Sequence, residues 1–376
     1  MSRLAFALLC CALTACGSDD SEPSAGSGGA SSGGSSSGGT SSGGGSSGAG
    51  SRVLAMEINQ PEGKDHAAML DVAMTIGVKG IPPALPWSLL EPTPQSIDAS
   101  WINALNLAYA PRALHVMLTV PTIDTVSLLV PSDLSSGLDS GALAFDDPSV
   151  IQRFQAVLDQ VLKTADPKLS LDYFVVGNEV NIYLATKPDA FWQSYKVFID
   201  QARSFIQSKR PNTRVGINVA FNGAASQKAK IQALMGNQDV CFVSYYLNGN
   251  DFGSAQANDL AVDVPEMLAL CGDKPVVLKE FGYPTGVTGN SLDGQAKFVG
   301  DFFQIWDQQS ARIPYVVISR MFDGKLTDCE AQATSYGFGG NQQFIQFLCT
   351  LGFRTYDDQP KPAWDRLAQE TKARGF

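Results

Sequence analysis

Two glutamates end apolar, β-branched runs that have the composition of buried strands. Glu179 ends the run in FVVGNE, and Glu280 ends the run in KPVVLKE. Carboxyl groups about 5–5.5 Å apart can break a glycosidic bond with retention, because one protonates the leaving oxygen while the other attacks the anomeric carbon. Either glutamate alone would be interpreted as the first residue of a solvated loop. Together, at the ends of two strands, they predict a catalytic pair.

The elements that would position this pair are eight short apolar runs separated by helical patterns. The runs are VLAMEI (from Val53), VKGIPPAL (from Val78), LHVMLTV (from Leu114), DYFVVG (from Asp172), RVGINVA (from Arg214), VCFVSYY (from Val240), PVVLKE (from Pro275) and YVVISR (from Tyr315). Strands that alternate with helices pair in parallel, and near-continuous apolar strands are buried on both faces. No glycine-rich phosphate turn follows the first run, which argues against an open doubly wound sheet. The predicted fold is α/β, a single (β/α)8 TIM barrel.

Active sites of such barrels lie at the C-terminal ends of the strands. Glu179 ends predicted strand four and Glu280 ends predicted strand seven, which face each other across the barrel. In this respect the chain resembles a clan A glycoside hydrolase, where strand four ends in Asn-Glu and strand seven in the second Glu. VVGNEVN and KEFGYPTG are also similar to segments of β-1,4-galactanases and β-1,3-glucanases of that clan. The C-terminal GFRTYDDQPKPAWDRL looks like the closing segment of such barrels.

The resemblance implies a role for each of these residues. Glu179 would be the acid/base, Glu280 the nucleophile, and Asn178 a ligand of the sugar 2-hydroxyl. Repulsion between the carboxylates and partial burial should raise the pKa of the acid. Strand six ends in Tyr245-Tyr246, and the clan often has a tyrosine there that donates to the nucleophile. Both tyrosines are candidates for binding the substrate. Successive strand residues face opposite sides, so only one of them can face inward, and Tyr246 is favoured.

Aromatic side chains are expected in a sugar site, because the C–H face of a pyranose packs against a π-system. We expect Trp87, after strand two, and Phe322, after strand eight, to supply this surface. The two histidines, His66 and His115, are expected at the surface and at the far end of the barrel, respectively. Further polar candidates at the barrel mouth are Glu57, Asn59, Asn218 and Asn222.

The resemblance implies an endo-acting β-1,4-galactanase or β-glucanase that hydrolyses a β-linked polysaccharide or oligosaccharide. The clan often has a tryptophan at the end of strand eight, whereas this chain has ISRMFDG there, so the sugar and linkage stay open. The alternative is a non-catalytic carbohydrate-binding surface lipoprotein on the same scaffold. Degenerate barrels usually lose one carboxylate, and both are present here. We therefore favour the enzyme, and we expect it to be a monomer.

Several other classes of partner are disfavoured by composition. The net charge is −10 and no basic cluster occurs, which argues against a nucleic-acid partner. No CxxC motif or histidine cluster suggests a metal site, and no Walker loop or dinucleotide fingerprint suggests a nucleotide cofactor. The expectation is therefore an enzyme that works without a metal or cofactor.

The N-terminus predicts export and a lipid anchor. Residues 1–15 have a short positive region and an apolar stretch too short to span a bilayer, as in a signal peptide. LTAC, ending at Cys16, resembles the bacterial lipobox, whose cysteine is acylated. Residues 16–51 are rich in Gly and Ser and predict a flexible tether reaching ~30–35 Å. The expected catalytic domain is 52–376, attached through Cys16 alone to an outer membrane or cell surface.

Seven cysteines occur in the chain, and four lie in the expected catalytic domain. An even number in an exported protein predicts disulfides, and four cysteines allow three pairings. The favoured pairing is Cys241–Cys271 with Cys329–Cys349, because each pair then lies within one barrel repeat.

Overall fold

The structure is a computed structural model that describes residues 52–247 and 259–376. The predicted signal peptide, Cys16 and the Gly/Ser tether lie outside the described residues. The barrel strands are β1 Val53–Met56, β2 Gly80–Ile81, β3 His115–Thr119, β4 Ser170–Val175, β5 Arg214–Gly216 with Asn218–Ala220, β6 Cys241–Tyr246, β7 Val276–Gly282 and β8 Tyr315–Ile318. A short antiparallel hairpin, Ile123–Asp124 with Ser127–Leu128, follows β3.

The strands form a closed parallel barrel. β1 pairs with both β2 and β8, and each strand from β2 to β7 pairs with the next along the chain. β5 meets its two neighbours with different segments, because Arg214–Gly216 pairs with β4 and Asn218–Ala220 pairs with β6. All eight predicted runs contain a strand, and the predicted (β/α)8 TIM barrel is confirmed.

Helices surround the barrel and return the chain between strands. Helix Pro148–Thr164 shows why they form: Asp147 caps its N-terminus by accepting from the Ser149 amide at 2.8 Å, and Pro148 fits the first turn. The α-helices are His66–Thr75, Trp87–Leu90, Ser100–Tyr109, Ser132–Ser140, Pro148–Thr164, Val180–Leu184, Asp189–Lys209, Lys228–Leu234, Leu260–Cys271, Leu292–Gln308, Leu326–Ser335, Gln342–Cys349 and Pro362–Arg374. None of the described helices combines the length and apolar character needed to cross a bilayer.

Strand alternation divides the core into two layers. Val53 and Ala55 of β1 pack inside the barrel, whereas Leu54 and Met56 pack outward against the helices. The inner layer is a small cluster that includes Met117, Tyr173, Val175, Phe242, Val277, Tyr315 and Val317. The barrel is therefore filled below its mouth, and a ligand can bind only above this layer.

β7 departs from this alternation near its C-terminal end. Val277 packs inside the barrel and Leu278 outside, while Phe281 packs outside again. The register with β6 shifts between Leu278 and Glu280, which marks a β-bulge. Because of the extra residue, the consecutive side chains of Lys279 and Glu280 both line the cavity at the barrel mouth.

Two disulfides join elements that are close in sequence. Cys241 at the start of β6 bonds to Cys271 at the end of the next helix, with a Cα–Cα distance of 5.7 Å. Cys329 bonds to Cys349, with a Cα–Cα distance of 5.6 Å. These pairs are the ones favoured from the sequence. The second disulfide joins helices Leu326–Ser335 and Gln342–Cys349, which we call the cap.

Candidate active site

A cavity of about 590 Å³ lies at the C-terminal ends of the strands. It contains four of the side chains predicted from the sequence, Asn178, Glu179, Tyr246 and Glu280. The structure thus brings the ends of β4, β6 and β7 to one site. Three of the polar mouth candidates, Glu57, Asn59 and Asn222, also line this cavity.

Glu179 faces the cavity because the chain turns sharply after β4. Its backbone is left-handed, with φ 44° and ψ 39°, a conformation that costs roughly 1–2 kcal/mol for a residue with a Cβ. Gly177 allows the close turn, since a Cβ there would clash with the Tyr195 hydroxyl and with Val180. Thr125, in the hairpin after β3, donates to Glu179 Oε2 at 2.9 Å. The strained turn points this carboxyl into the site.

The environment of Glu179 favours its protonated form. Burial, followed by the negative charge of Glu280, raises the pKa of Glu179 to about 8. The Thr125 hydrogen bond acts in the opposite direction and is outweighed. At neutral pH this carboxyl therefore holds a proton that it can donate.

The environment of Glu280 favours its ionised form. Burial alone would raise the pKa of Glu280, but the ammonium of Lys279 and the hydrogen bonds it receives lower that pKa below its ordinary value. Lys279 Nζ donates to Oε1 at 2.8 Å, and the Tyr246 hydroxyl donates to Oε2 at 2.8 Å. Both oxygens are thus held, and the surroundings shift the pKa values of the two glutamates in opposite directions within one cavity.

Asn178 is fixed by a hydrogen-bond network beside this pair. Its Nδ2 donates to Asp124 Oδ1 at 2.8 Å, and its Oδ1 accepts from Asn218 Nδ2 at 2.8 Å. Asn218 also donates to Ser244 Oγ at 2.8 Å, although it is itself fully buried. Burial raises the pKa of Asp124. The network spans the ends of β4, β5 and β6 and leaves Asn178 little rotational freedom.

The prediction that Trp87 and Phe322 supply an aromatic surface for the sugar is wrong. Trp87 is 0% exposed, because it starts a short helix that turns its ring against Phe154, and its Nε1 donates to Glu91 at 2.7 Å. Phe322 is also 0% exposed, and Asn59 holds its backbone at 2.8 and 3.0 Å. Neither ring lines the cavity, so neither can contact a sugar there.

Strand six has the orientation expected from alternation. Tyr246 lines the cavity, and its hydroxyl also lies 3.3 Å from Ser319 Oγ. Tyr245 is 0% exposed and donates to Asp263 of helix Leu260–Cys271 at 2.7 Å. Tyr245 therefore belongs to the outer core, and its inclusion among the substrate-binding candidates is corrected.

Several residues of the cavity escaped the sequence analysis. Lys279 was missed because strict alternation would turn it away from Glu280. His66 was expected at the surface, yet it is 6% exposed and lines the cavity, bonded to Tyr109 at 2.9 Å. The aromatic residues that line the cavity come mainly from the cap and the loop within it, and no sequence signal placed them there: Tyr336, Phe338, Phe344 and Phe347.

The described parts of the chain contain no group of side chains that could bind a metal ion. Among residues 52–247 and 259–376, no three His, Cys, Asp or Glu side chains are arranged to hold a metal ion. Three acidic groups of the cavity, Asp124, Glu179 and Glu280, bond to Thr, Asn, Lys and Tyr side chains.

Comparisons with known proteins give structural neighbours only. No family model matches the chain, and no curated protein matches its sequence. A family 39 glycoside hydrolase of Bacteroides cellulosilyticus WH2 superposes with a TM-score of 0.60 and 13% identity, over 85% of this chain and 63% of that one. The chain thus spans less than two thirds of that protein.

Two further neighbours have the same barrel. The exo-β-1,4-mannosidase of Opitutaceae bacterium strain TAV5 has a TM-score of 0.63 and 16% identity, over 86% of this chain and 59% of that one. An endo-β-1,4-xylanase of family 10 from Gloeophyllum trabeum has a TM-score of 0.57 and 13% identity, over 86% and 96% of the two chains. At such identities the neighbours establish the fold alone, a TIM barrel.

Proposed function

We propose that this protein is a retaining glycoside hydrolase that cleaves a β-linked polysaccharide or oligosaccharide. The observation that carries the proposal is that Glu179 and Glu280, at the ends of β4 and β7, line one cavity whose surroundings raise the pKa of Glu179 and lower that of Glu280. A retaining glycosidase needs one protonated and one ionised carboxyl group. The names of two structural neighbours, an exo-β-1,4-mannosidase and an endo-β-1,4-xylanase, support a β-linked substrate.

In the first step Glu179 gives its proton to the leaving oxygen, and Glu280 attacks the anomeric carbon. A covalent glycosyl-enzyme forms, and the leaving sugar departs with the proton from Glu179. Lys279 and Tyr246 hold the two oxygens of Glu280 before attack, and the attacking oxygen must exchange its hydrogen bond for the new C–O bond. Asn178 lies beside the pair, where it can bind the sugar 2-hydroxyl.

The second step reverses the role of Glu179. Once Glu280 is an ester it no longer carries the charge that raises the pKa of Glu179, so that pKa falls. Glu179, now ionised, takes a proton from water, and the water oxygen attacks the anomeric carbon. The bond to Glu280 breaks, the sugar leaves with retained configuration, and the original protonation states return.

The proposed location is the exterior of a bacterial cell, with a lipid on Cys16 as the anchor. The LTAC segment and the Gly/Ser tether of residues 16–51 support this proposal. A tether of this length would let the barrel reach a bulky polymer. The disulfides Cys241–Cys271 and Cys329–Cys349 suit an oxidising compartment.

The test is trapping of the glycosyl-enzyme, with activity measured in parallel. The full chain is incubated with 2-deoxy-2-fluoro-β-glycosides of several sugars, and the labelled peptide is identified by mass spectrometry. We expect the label on Glu280. In release of reducing ends from soluble β-glycans, Glu179→Gln and Glu280→Gln should each lose activity by about 10²-fold or more.

Glu62→Gln is the matched control, since this glutamate is exposed at 83% of its side chain and should leave activity unchanged. A label on another residue, or activity that survives Glu280→Gln, would contradict the assignment of the nucleophile. Binding of a β-glycan by wild type and both variants, with no turnover of any substrate, would favour the alternative, a non-catalytic carbohydrate-binding lipoprotein.

A further inference from the structure

The cap is a small folded unit on the barrel mouth. Its two helices share a hydrophobic cluster and are joined by the Cys329–Cys349 disulfide. The cluster includes Ala333, Phe344, Ile345, Phe347 and Leu348. Packing and a covalent bond therefore keep the cap together independently of any ligand.

One side of the cap is attached beside the proposed nucleophile. Arg320, just after β8, donates to the Leu348 carbonyl at 2.7 Å and to Gln332 Oε1 at 3.1 Å. Arg320 has a left-handed backbone, with φ 72°, which is costly outside glycine and often marks a functional site. Phe347 packs edge-on against Tyr246, with ring centroids 5.0 Å apart and planes at 85°. Tyr246 in turn donates to Glu280.

The other side of the cap reaches the proposed acid/base. Tyr336, immediately after the first cap helix, lines the cavity together with Thr125 and Glu179. Burial and the charges of Asp124, Glu179 and Glu280 raise the pKa of Tyr336, while hydrogen bonding with Thr125 acts in the opposite direction. The segment that follows β8 thus crosses the mouth as far as the hairpin that follows β3.

From the two glutamates the cavity extends to the barrel mouth around β2. It is lined by Ile81, Pro82, Pro83 and Ala84, which follow or end β2, and by His66 and Tyr109. His66 and Tyr109 line the cavity although they are only 6% and 4% exposed, so they lie at its deep end. The volume of about 590 Å³ falls within the range of pockets that enclose most of a small ligand, about 300–1,000 Å³.

We propose that the cap makes the active site a pocket for a chain end, so that the enzyme removes sugars from the end of a β-linked chain. The proposal rests on the proposed function. A polysaccharide cut in its interior must extend on both sides of the two glutamates, and the crossing from Arg320 through Tyr336 to Thr125 closes one side. Tyr336 is then the specificity-determining residue. This differs from the endo action implied by the resemblance.

The experiment compares wild type with Tyr336→Ala and Tyr336→Phe in the full chain. Soluble β-1,4-galactan, β-1,3-glucan, β-mannan and xylan are the probes. Two quantities are followed together: specific viscosity and new reducing ends, with chromatographic sizing of the products. Wild type should release small sugars from the start while viscosity falls little for each bond cut. Tyr336→Ala opens the crossing, so its viscosity should fall several-fold more per bond cut, whereas Tyr336→Phe keeps the ring and should keep the product pattern of wild type.

Two results would overturn the inference. One is a steep early fall of viscosity with wild type, and the other is an unchanged product pattern in Tyr336→Ala. Glu179→Gln and Glu280→Gln separate this failure from failure of the proposed function. If wild type cuts chain interiors and both glutamine variants are inactive, the chain-end pocket is wrong and the glycosidase assignment stands. If no variant and no wild-type sample yields reducing ends from any glycan or from chromogenic β-glycosides, the proposed function fails and the inference fails with it.

Discussion

Lys279 and Glu280 are consecutive residues whose side chains meet inside the barrel, with Nζ 2.8 Å from Oε1. A regular strand would place them on opposite faces, and the β7 bulge removes that restriction. Lys279 is 8% exposed, so its charge is screened little by water. We expect it to be a positioning residue, which acts through the carboxylate that it holds and whose pKa it lowers.

Replacing this lysine should move the acidic limb of the pH profile. In Lys279→Met the pKa of Glu280 rises, because burial is no longer offset by the ammonium. Glu280 must be ionised to attack, so the acidic limb of kcat/KM should shift to higher pH. The alkaline limb should also shift upward, since Lys279 lowers the pKa of Glu179. Lys279→Arg keeps the charge and is the control. An unmoved acidic limb in Lys279→Met would show that the lysine does not act on Glu280.

The alkaline limb of wild type should report Glu179. Its pKa of about 8 means that activity should fall as pH rises through about 8, because the proton for the leaving group is lost. Aryl glycosides with good leaving groups need less protonation of the leaving oxygen. Activity on them should therefore fall less at alkaline pH than activity on oligosaccharides. Stopped assays from pH 4 to pH 10 test this. A decline already complete near pH 6 would mean that another group limits the reaction.

The raised pKa of Glu179 also has an effect on stability. An acid whose folded pKa exceeds its unfolded value favours folding at low pH, and that contribution is lost as pH rises from about 4.5 through about 8. Glu179→Gln removes the titration. Its free energy of unfolding should therefore equal that of wild type near pH 4 and exceed it at pH 8, as measured by urea denaturation. A variant less stable than wild type at pH 8 would contradict the linkage.

Tyr246 should matter through its hydroxyl. Tyr246→Phe deletes a hydrogen bond to a charged acceptor, which is worth roughly 1.5–3 kcal/mol, so kcat should fall roughly 10- to 150-fold. The acidic limb of the pH profile should shift slightly to higher pH, because this hydrogen bond lowers the pKa of Glu280 in wild type. Tyr245→Phe is the matched control, since it breaks the bond to Asp263 outside the barrel. It should lower the midpoint of thermal unfolding and leave kcat unchanged.

Trp87 should behave as a core residue. Trp87→Ala leaves a large void against Phe154 and Phe198, at a cost of about 3–5 kcal/mol in the free energy of unfolding. The folded fraction should keep the KM of wild type, because the ring does not line the cavity. Phe338→Ala is the contrasting variant, since that ring is 40% exposed at the cavity. It should leave stability nearly unchanged and raise KM.

The sequence was sufficient to predict the barrel and the position of the two glutamates at its mouth, because both depend on local patterns. Apolar runs and helical spacing identify the strands, and a strand followed by a carboxylate identifies the barrel mouth. Trp87 and Phe322 were misassigned because a position after a strand does not state which way a ring turns. In the structure both rings turn into packed layers and are 0% exposed.

The cap shows the other limit of sequence reasoning. Tyr336 and Phe347 reach the site from beyond β8: Tyr336 follows the first cap helix and Phe347 lies in the second, and the apolar spacing of these helices resembles that of any surface helix. Their contacts with Thr125 and Tyr246 join residues far apart in the chain, which no local pattern encodes. Lys279 was hidden for a different reason, since a bulge has no signature in the apolar run PVVLKE.

The β7 bulge also bears on how this chain would align with other barrels. Leu278 and Phe281 both face outward, although residues three apart in a regular strand face opposite sides. The alternation of inward and outward side chains is therefore that of a strand with one extra residue between them. Deleting Lys279 would leave Glu280 facing inward in an unbroken pleat. A barrel with a regular seventh strand therefore needs one residue fewer before its glutamate. An alignment without a gap at Lys279 would pair the wrong residue with Glu280, the proposed nucleophile.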